Sequence, residues 1–261
     1  MKIGILCSKV AKDVDGLDFQ SLLDKEGIPY FEVDNPLFIE EKDIENIDAD
    51  YLIVLGKHSL VDQPKIFSVH PVGNWNQLWP REEDNLGGKE GTLGRVSASL
   101  LNFTFQSLKR NNDLTDYIVS IECTHHGPNI SKPILFLEIG SNKDSWKNPR
   151  AQEVILKTLK DILGNFEVEE KEAYIVLGGS HYNELIHKLL ERGILISHMC
   201  PSSQVPYLTE KIILEAIDKT EENVDCVLID VSGVGQHMEM ILKILEKNNI
   251  KHKFLHELFE H

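Results

Sequence analysis

The chain has 261 residues, with 27 Lys plus Arg against 42 Asp plus Glu for a formal charge of −15, and 41% hydrophobic and 26% charged residues. That balance excludes a disordered chain, and the length excludes a small scaffold held by disulfides or metal, because a chain this long hides roughly 70–75% of its unfolded surface. No apolar stretch approaches the roughly 18 residues that span a bilayer, and the negative charge argues against a nonspecific grip on DNA.

The opening MKIGILCSKVAKDVDG has only a few apolar residues before acidic sequence, and reads as a first strand rather than a signal peptide. Short β-branched runs then predict strands covered on both faces: YLIVLG (51–56), KIFSVH (65–70), DYIVSIEC (116–123) and KPILFLEIG (132–140). EAYIVLGG (172–179), GILISH (193–198) and VDCVLIDV (224–231) continue the series. Helical periodicity predicts helices over 16–27, 95–112, 149–165, 182–193, 207–219 and 235–250. Gly27, Gly164 and Gly193 stand where C-caps belong.

This alternation predicts one α/β domain over 1–261, layered α/β/α around a mixed, largely parallel sheet, with its site at the C-terminal ends of the strands. Between YIVSIEC and ILFLEIG no helical pattern intervenes, so those strands are either antiparallel or joined by a functional loop. There is no internal repeat. The irregular stretch at about 70–95, rich in Gly, Pro, Asn and Trp, reads as a long functional loop. Lys57, Lys65, Arg81, Lys89 and Arg95 gather in and around it with Trp75 and Trp79, either as an RNA-binding patch or as scattered solvated charges. Cys7, Cys123, Cys200 and Cys226 lie far apart without a CxxC pair, which fits a reducing cytoplasm rather than a disulfide framework or zinc finger.

Six of the 11 histidines follow predicted strands: His58, His70, His125, His126, His181 and His198. Convergent imidazoles at strand ends would form a hydrolytic or metal-binding crevice; the bland alternative is polar loops that tolerate histidine. Glu122 stands just before the paired histidines, and Glu138 interrupts an apolar strand. A buried carboxylate must be paired, hydrogen-bonded, metal-bound or protonated, so each is a metal ligand, a partner of histidine or a structural ion pair. The turn VLGGSH (176–181) leads from a strand into a helix, where backbone N–H groups can hold a phosphate or an oxyanion. It lacks the GKS or GKT of a Walker A loop, and GVGQH (233–237) is only a weak nucleotide signal. No GxSxG or HExxH occurs, and Cys123 reads as an inert buried thiol.

The segments GKHS (56–59), FSVHPVGNW (67–75), IECTHHGP (121–128), LFLEIGSNKDSW (135–146), LGGSHY (177–182) and SHMCP (197–201) occur in one order along the chain. In these the sequence resembles the archaeal and plant type of D-aminoacyl-tRNA deacylase over nearly its whole length, THHGP and EIGS…W being the specific matches. The resemblance implies a monomeric, cytoplasmic α/β hydrolase that uses zinc and cleaves the ester between a D-amino acid and tRNA, a proofreading activity. For that reaction the strand-end residues offer His125 or His126 as base or metal ligand and Glu122 or Glu138 as the orienting carboxylate, with His125, His126 and Glu122 as the catalytic group. His70, Asn74, Trp75, Gly178, Gly179, Ser180 and Tyr182 would bind substrate, Trp75 offering a face to the terminal adenine. His70, His125, Glu138 and His181 would hold the metal. The family's third glycine is replaced by Ser180, and its Pro-Arg after the tyrosine is absent in Asn183-Glu184-Leu185. A different class remains open on the Gly-rich turns alone: a metal- or nucleotide-binding module without turnover. The convergent histidines are what an enzyme needs and a sensor does not.

Overall fold

The computed structural model of the chain describes residues 1–9, 17–59, 64–76 and 87–259. Its first part holds β1 (Ile3–Ser8), α1 (Phe19–Glu26), β2 (Phe31–Val33), α2 (Glu41–Ile44), β3 (Tyr51–Ser59) and β4 (Lys65–Pro71). β5 (Gly73–Asn74), β6 (Thr92–Leu93), α3 (Ala98–Asn111), β7 (Tyr117–Ile121) and β8 (Ile134–Ser141) follow. Next come α4 (Lys143–Lys147), α5 (Pro149–Asn165), β9 (Ala173–Leu177), α6 (Glu184–Glu191) and β10 (Leu195–Cys200). The remainder is α7 (Glu210–Asp218), β11 (Val224–Ile229), α8 (Val231–Val234), α9 (Met238–Lys247) and β12 (Lys251–Phe254). Every strand expected from an apolar run is present. The unexpected β2 and β12 are short and largely exposed, so they carry no such run.

Local chemistry sets the helix ends. Asp18 caps the N–H of Ser21 at the start of α1, and Gly27 closes that helix at φ 66°. Gly164, expected as a cap, lies instead inside the last turn of α5, and Phe166 is the C-cap residue. The buried Phe166 ring packs on the core and holds the extra turn, its N–H bonded to Ile162 O at 3.1 Å.

Among the described residues the strands divide between two principal sheets rather than one. The first has the order β2-β1-β3-β8-β4-β7; β2, β1, β3 and β8 are parallel, β4 joins β8 antiparallel, and β7 runs with β4. The second, β10-β9-β11-β12, is wholly parallel. One apolar core spans both, from Phe67 and Leu137 through Phe105 of α3 and Leu159 of α5 to Val176, Ile196 and Leu228.

Pleating decides which side of the first sheet carries chemistry. Gly56, Glu138, Ser68 and Ser120 stand side by side in register across β3, β8, β4 and β7. With His58 and His70, two residues along their strands, they share one face, while the alternating Phe67, Val69, Leu137 and Ile139 enter the core on the other. The site therefore does not lie solely at strand C-termini, as expected. β4 and β7 end at it, but β8 crosses it in mid-strand, because β4 and β7 run with each other and opposite to β8 and the strands beyond it.

Candidate active site

Beyond β7 the chain leaves the first sheet and stitches it to the second. Glu122 N–H bonds to Val69 O at 3.1 Å, Cys123 N–H to His181 O at 3.0 Å and Thr124 N–H to Met199 O at 2.9 Å. Gly73 N–H then bonds to His126 O at 2.6 Å, fixing the two adjacent histidines over the end of β4. His126 adopts φ 45°, a left-handed conformation that a side chain this large occupies only when its surroundings hold it there.

Glu122, 1% exposed, is the centre of the cluster. It accepts a hydrogen bond from His181 Nε2 at 2.8 Å, with His58 Nε2 at 3.7 Å and His125 Nε2 at 3.8 Å. Tyr182 Oη lies 2.7 Å from His58 Nε2. On the other flank Glu138 faces His70 Nε2 at 3.9 Å. Gly56 makes room for it, since a Cβ there would stand 2.5 Å from Glu138 Oε1. Ring centroids of His70 and His125 are 4.2 Å apart, those of His70 and His126 4.8 Å, and those of His125 and His181 4.8 Å.

Three of these imidazoles have a fixed tautomer. His70, His125 and His126 each place Nδ1 against a backbone carbonyl, of Pro71 (3.1 Å), Cys123 (2.7 Å) and Gly127 (2.6 Å). A carbonyl only accepts, so each Nδ1 carries the proton, and Nε2 in the neutral ring keeps its lone pair. The three can offer ligand atoms within 4.8 Å of one another. His70 Nε2 is buried without a hydrogen-bond partner among the described residues. Neutral imidazoles oriented by carbonyls are the donor set that zinc takes, so these residues fit the expected metal. A second group, Cys123, His125 and His181, meets the same distance criterion, with Cys123 Sγ 3.1 Å from His181 Nδ1.

Burial is the largest influence on each titration here. It pushes His125 well below the usual imidazole range and His126 to about 3, the neighbouring His70 adding to both. For His70 burial also acts downward, but the Glu138 and Glu122 carboxylates outweigh it and the net shift is upward. Burial alone would raise Glu122; the His181 hydrogen bond and the charges of His70, His125 and His58 instead hold it below the usual carboxylate range. Burial and then the Glu122 charge raise Tyr182 and Cys123, which keep their protons.

The structure thus brings together His70, His125, His126, His181, Glu122, Glu138 and Tyr182. His126 joins the His70–His125 triad, where Glu138 and His181 were expected; His181 groups with Cys123 instead. Asn74 lines a small cleft beside His125 and His181, its amide bonded to Gly87 O at 2.9 Å. Trp75 does not offer an open stacking face. It is 3% exposed, its indole N–H bonds to Met199 O at 3.2 Å, and it packs in the core of the second sheet. Gly178 is not an oxyanion donor either, because its N–H bonds to Cys200 O at 2.8 Å. Gly178 and Gly233 let the Gly178–Gly179 turn and the 230–233 turn approach closely, since a Cβ on Gly178 would stand 2.9 Å from Asp230 O and one on Gly233 2.2 Å from Gly179 N, while a Cβ on Gly179 would meet Asn183. Ser180 Oγ turns back onto Tyr182 O at 2.5 Å.

His198, one of the six strand-end histidines, lies outside the crevice. It is fully buried between Thr124 Oγ1, 3.3 Å from its Nδ1, and the Trp75 ring. The expected basic patch is dispersed: Lys65 pairs with Asp116 at 2.7 Å and Arg95 with Glu221 at 2.6 Å, while Lys57 lies over the Trp146 ring. Arg81 and Trp79 fall outside the described residues. His58 was expected in the crevice only as one of the six strand-end histidines, without a catalytic, substrate or metal role, and Gly56 was given none. Their signal was present in YLIVLGKHS, where both stand on the alternate positions that oppose the core.

A buried carboxylate ringed by imidazoles on a two-sheet α/β scaffold is the equipment of a hydrolase. The chain belongs to the D-aminoacyl-tRNA deacylase family, whose model matches residues 45–253. It is 29% identical over 241 residues to the D-aminoacyl-tRNA deacylase of Caldivirga maquilingensis, covering 84% of this chain and 86% of that one. To the D-aminoacyl-tRNA deacylase of Ignicoccus hospitalis it is 30% identical over 221 residues, 82% of either chain. It shares its fold with a crystal structure described as a conserved protein of unknown function, at a TM-score of 0.82 and 22% identity over 98% of this chain and 96% of that one.

Proposed function

We propose that this chain hydrolyses the ester bond between a D-amino acid and tRNA, removing mischarged product as a cytoplasmic monomer. The observation that carries the site assignment is Glu122, buried with three imidazoles within 3.8 Å. His181 Nε2–H donates to that carboxylate and its Nδ1 faces the Cys123 thiol at 3.1 Å, so both ring nitrogens are held and the charge of Glu122 fixes the imidazole in the wall of the crevice. His125 and His126, kept neutral by burial, are better ligands than bases. With His70 they would hold zinc, flanked by Glu138, and the ion would supply Lewis acidity toward the ester carbonyl and water. Tyr182 retains its proton and donates to the oxygen that gains charge during attack, the task once expected of Gly178. The four cysteines are all free and buried, which fits a reducing compartment, and no helix among the described residues is long and apolar enough to cross a membrane. A non-catalytic nucleotide module loses its main support, since the Gly178–Gly179 turn is filled by the 230–233 turn.

The test is chirality. L and D esters carry identical groups, so discrimination depends on where the side chain and amine point once the carbonyl is fixed. D-tyrosine should be released rapidly from D-Tyr-tRNA, and L-tyrosine hardly at all from L-Tyr-tRNA under the same conditions. Equal rates would leave a general aminoacyl esterase.

A further inference from the structure

Two clefts leave the reaction centre on different sides. One, of about 220 Å³, starts at His58 and Tyr182 and is walled by Ile66 and Ile118, with Ser120 and His187 also lining it. The other, of about 60 Å³, starts at His125 and His181 and shares Trp75 with a groove of about 430 Å³ lined by Tyr207 and Lys211. An ester has two substituents, and here they need different surroundings. The nucleotide half is polar and joined to a long polymer, so it must leave along a depression that continues over the surface. The amino-acid half ends in one side chain.

We infer that the cleft of Ile66, Ile118, Ser120 and His187 receives the aminoacyl side chain, an inference that rests on the proposed hydrolysis. Its volume equals about seven waters at ~30 Å³ each, room for one aromatic or branched side chain. Pro64, Ile66 and Ile118 give it an apolar wall for such a side chain, and the polar residues opposite, Glu184 and Ser141 among them, can fix orientation. One of these is defined by its bonds. His187 Nε2 accepts the Ile121 N–H at 3.2 Å, with Ser120 Oγ at 3.0 Å, so its proton lies on Nδ1 and that N–H is a donor for a polar-tipped side chain. Burial keeps this ring neutral. Tyr182, which also lines the cleft, links it to the reacting carbonyl. The cleft therefore grades substrates by side-chain size, while the nucleotide half is held elsewhere.

Ile118 is the place to test this, because it is 50% exposed and a larger side chain there leaves the core intact. In Ile118→Trp, kcat/KM for D-Tyr-tRNA and D-Phe-tRNA should fall tenfold or more, while that for D-Ala-tRNA stays within threefold of wild type. Ile118→Ala should shift preference the other way, toward D-Trp-tRNA. Equal losses on all three D-aminoacyl-tRNAs, or no change on any, would overturn the assignment and place the nucleotide or nothing in this cleft. Wild-type protein inactive on every D-aminoacyl-tRNA would instead sink the proposed hydrolysis. Binding of amide-linked 3′-aminoacyl-adenosine then decides the cleft: D-tyrosyl should bind better than D-alanyl to wild type and lose that advantage in Ile118→Trp, and an unchanged advantage would overturn it.

Discussion

The two sheets are built by the same rule and used for opposite ends. In the second sheet β9 and β11 are apolar runs packed between helices, and β10 adds only the buried polar pair Ser197 and His198, whose hydrogen bonds tie the sheet to its neighbours rather than open onto a crevice. In the first, one face packs in the same way, while the other buries His58, His70, Ser68, Ser120 and Glu138. The difference lies in direction. A wholly parallel sheet presents its strand ends at one edge, and only loops such as Gly178–Tyr182 reach outward from it. The antiparallel entry of β4 beside β8 instead brings strand ends and a mid-strand carboxylate onto one face, which the 122–126 segment then covers. Buried polar groups are costly unless they are bonded to each other, so the active face is a place where stability and chemistry depend on the same contacts.

Substitutions on each side should separate those two dependences. The largest effect on rate belongs to the polar face. Glu122→Gln keeps the shape but removes the charge that orients His181, and turnover should fall about a hundredfold to ten-thousandfold. Steady-state hydrolysis of D-Tyr-tRNA measures it, and activity within a few-fold of wild type would remove Glu122 from the mechanism. Ile175→Ala in β9 should do the reverse, costing about 2–5 kcal/mol in denaturant unfolding while turnover per folded molecule stays unchanged.

Gly56→Ala tests both at once. Its Cβ would meet Glu138, so overpacking should cost about 1–3 kcal/mol and also displace the carboxylate from His70, lowering turnover. A stability loss with full activity would make Glu138 structural.

A smaller effect concerns pH. Burial pushes His198 to about 3, so below ~6.5 the unfolded chain binds a proton that the native chain does not. Stability from this group is complete above the unfolded value and is lost as pH falls toward the folded one, by about 1.4 kcal/mol per pH unit. Urea unfolding between pH 6 and 4 should show a shallower slope in His198→Asn by about that amount; an identical slope would mean that the ring titrates in place. Smallest of all, Lys89→Ala should leave stability unchanged and lower the salt slope of tRNA binding by about one if Lys89 meets a phosphate. An unaltered slope would place the RNA backbone elsewhere.

Strand and helix positions were legible along the chain, and so were the places where a polar residue interrupts an apolar run. Periodicity reports burial residue by residue, and Glu138 within ILFLEIG or His58 within YLIVLGKHS break that pattern where they stand. The resemblance carried by THHGP and EIGS…W placed the family as well. Tertiary structure decided the rest. Whether β4 runs with or against β8 depends on pairing between segments some 70 residues apart, and this alone turns a strand-end crevice into a polar sheet face. Partner choice followed the same logic: His126 rather than His181 completes the His70–His125 group, Trp75 is buried, and the Gly178–Gly179 turn is filled by the 230–233 turn. Spacing in sequence fixes which side chains are available, but distances between them are set by how the two sheets meet.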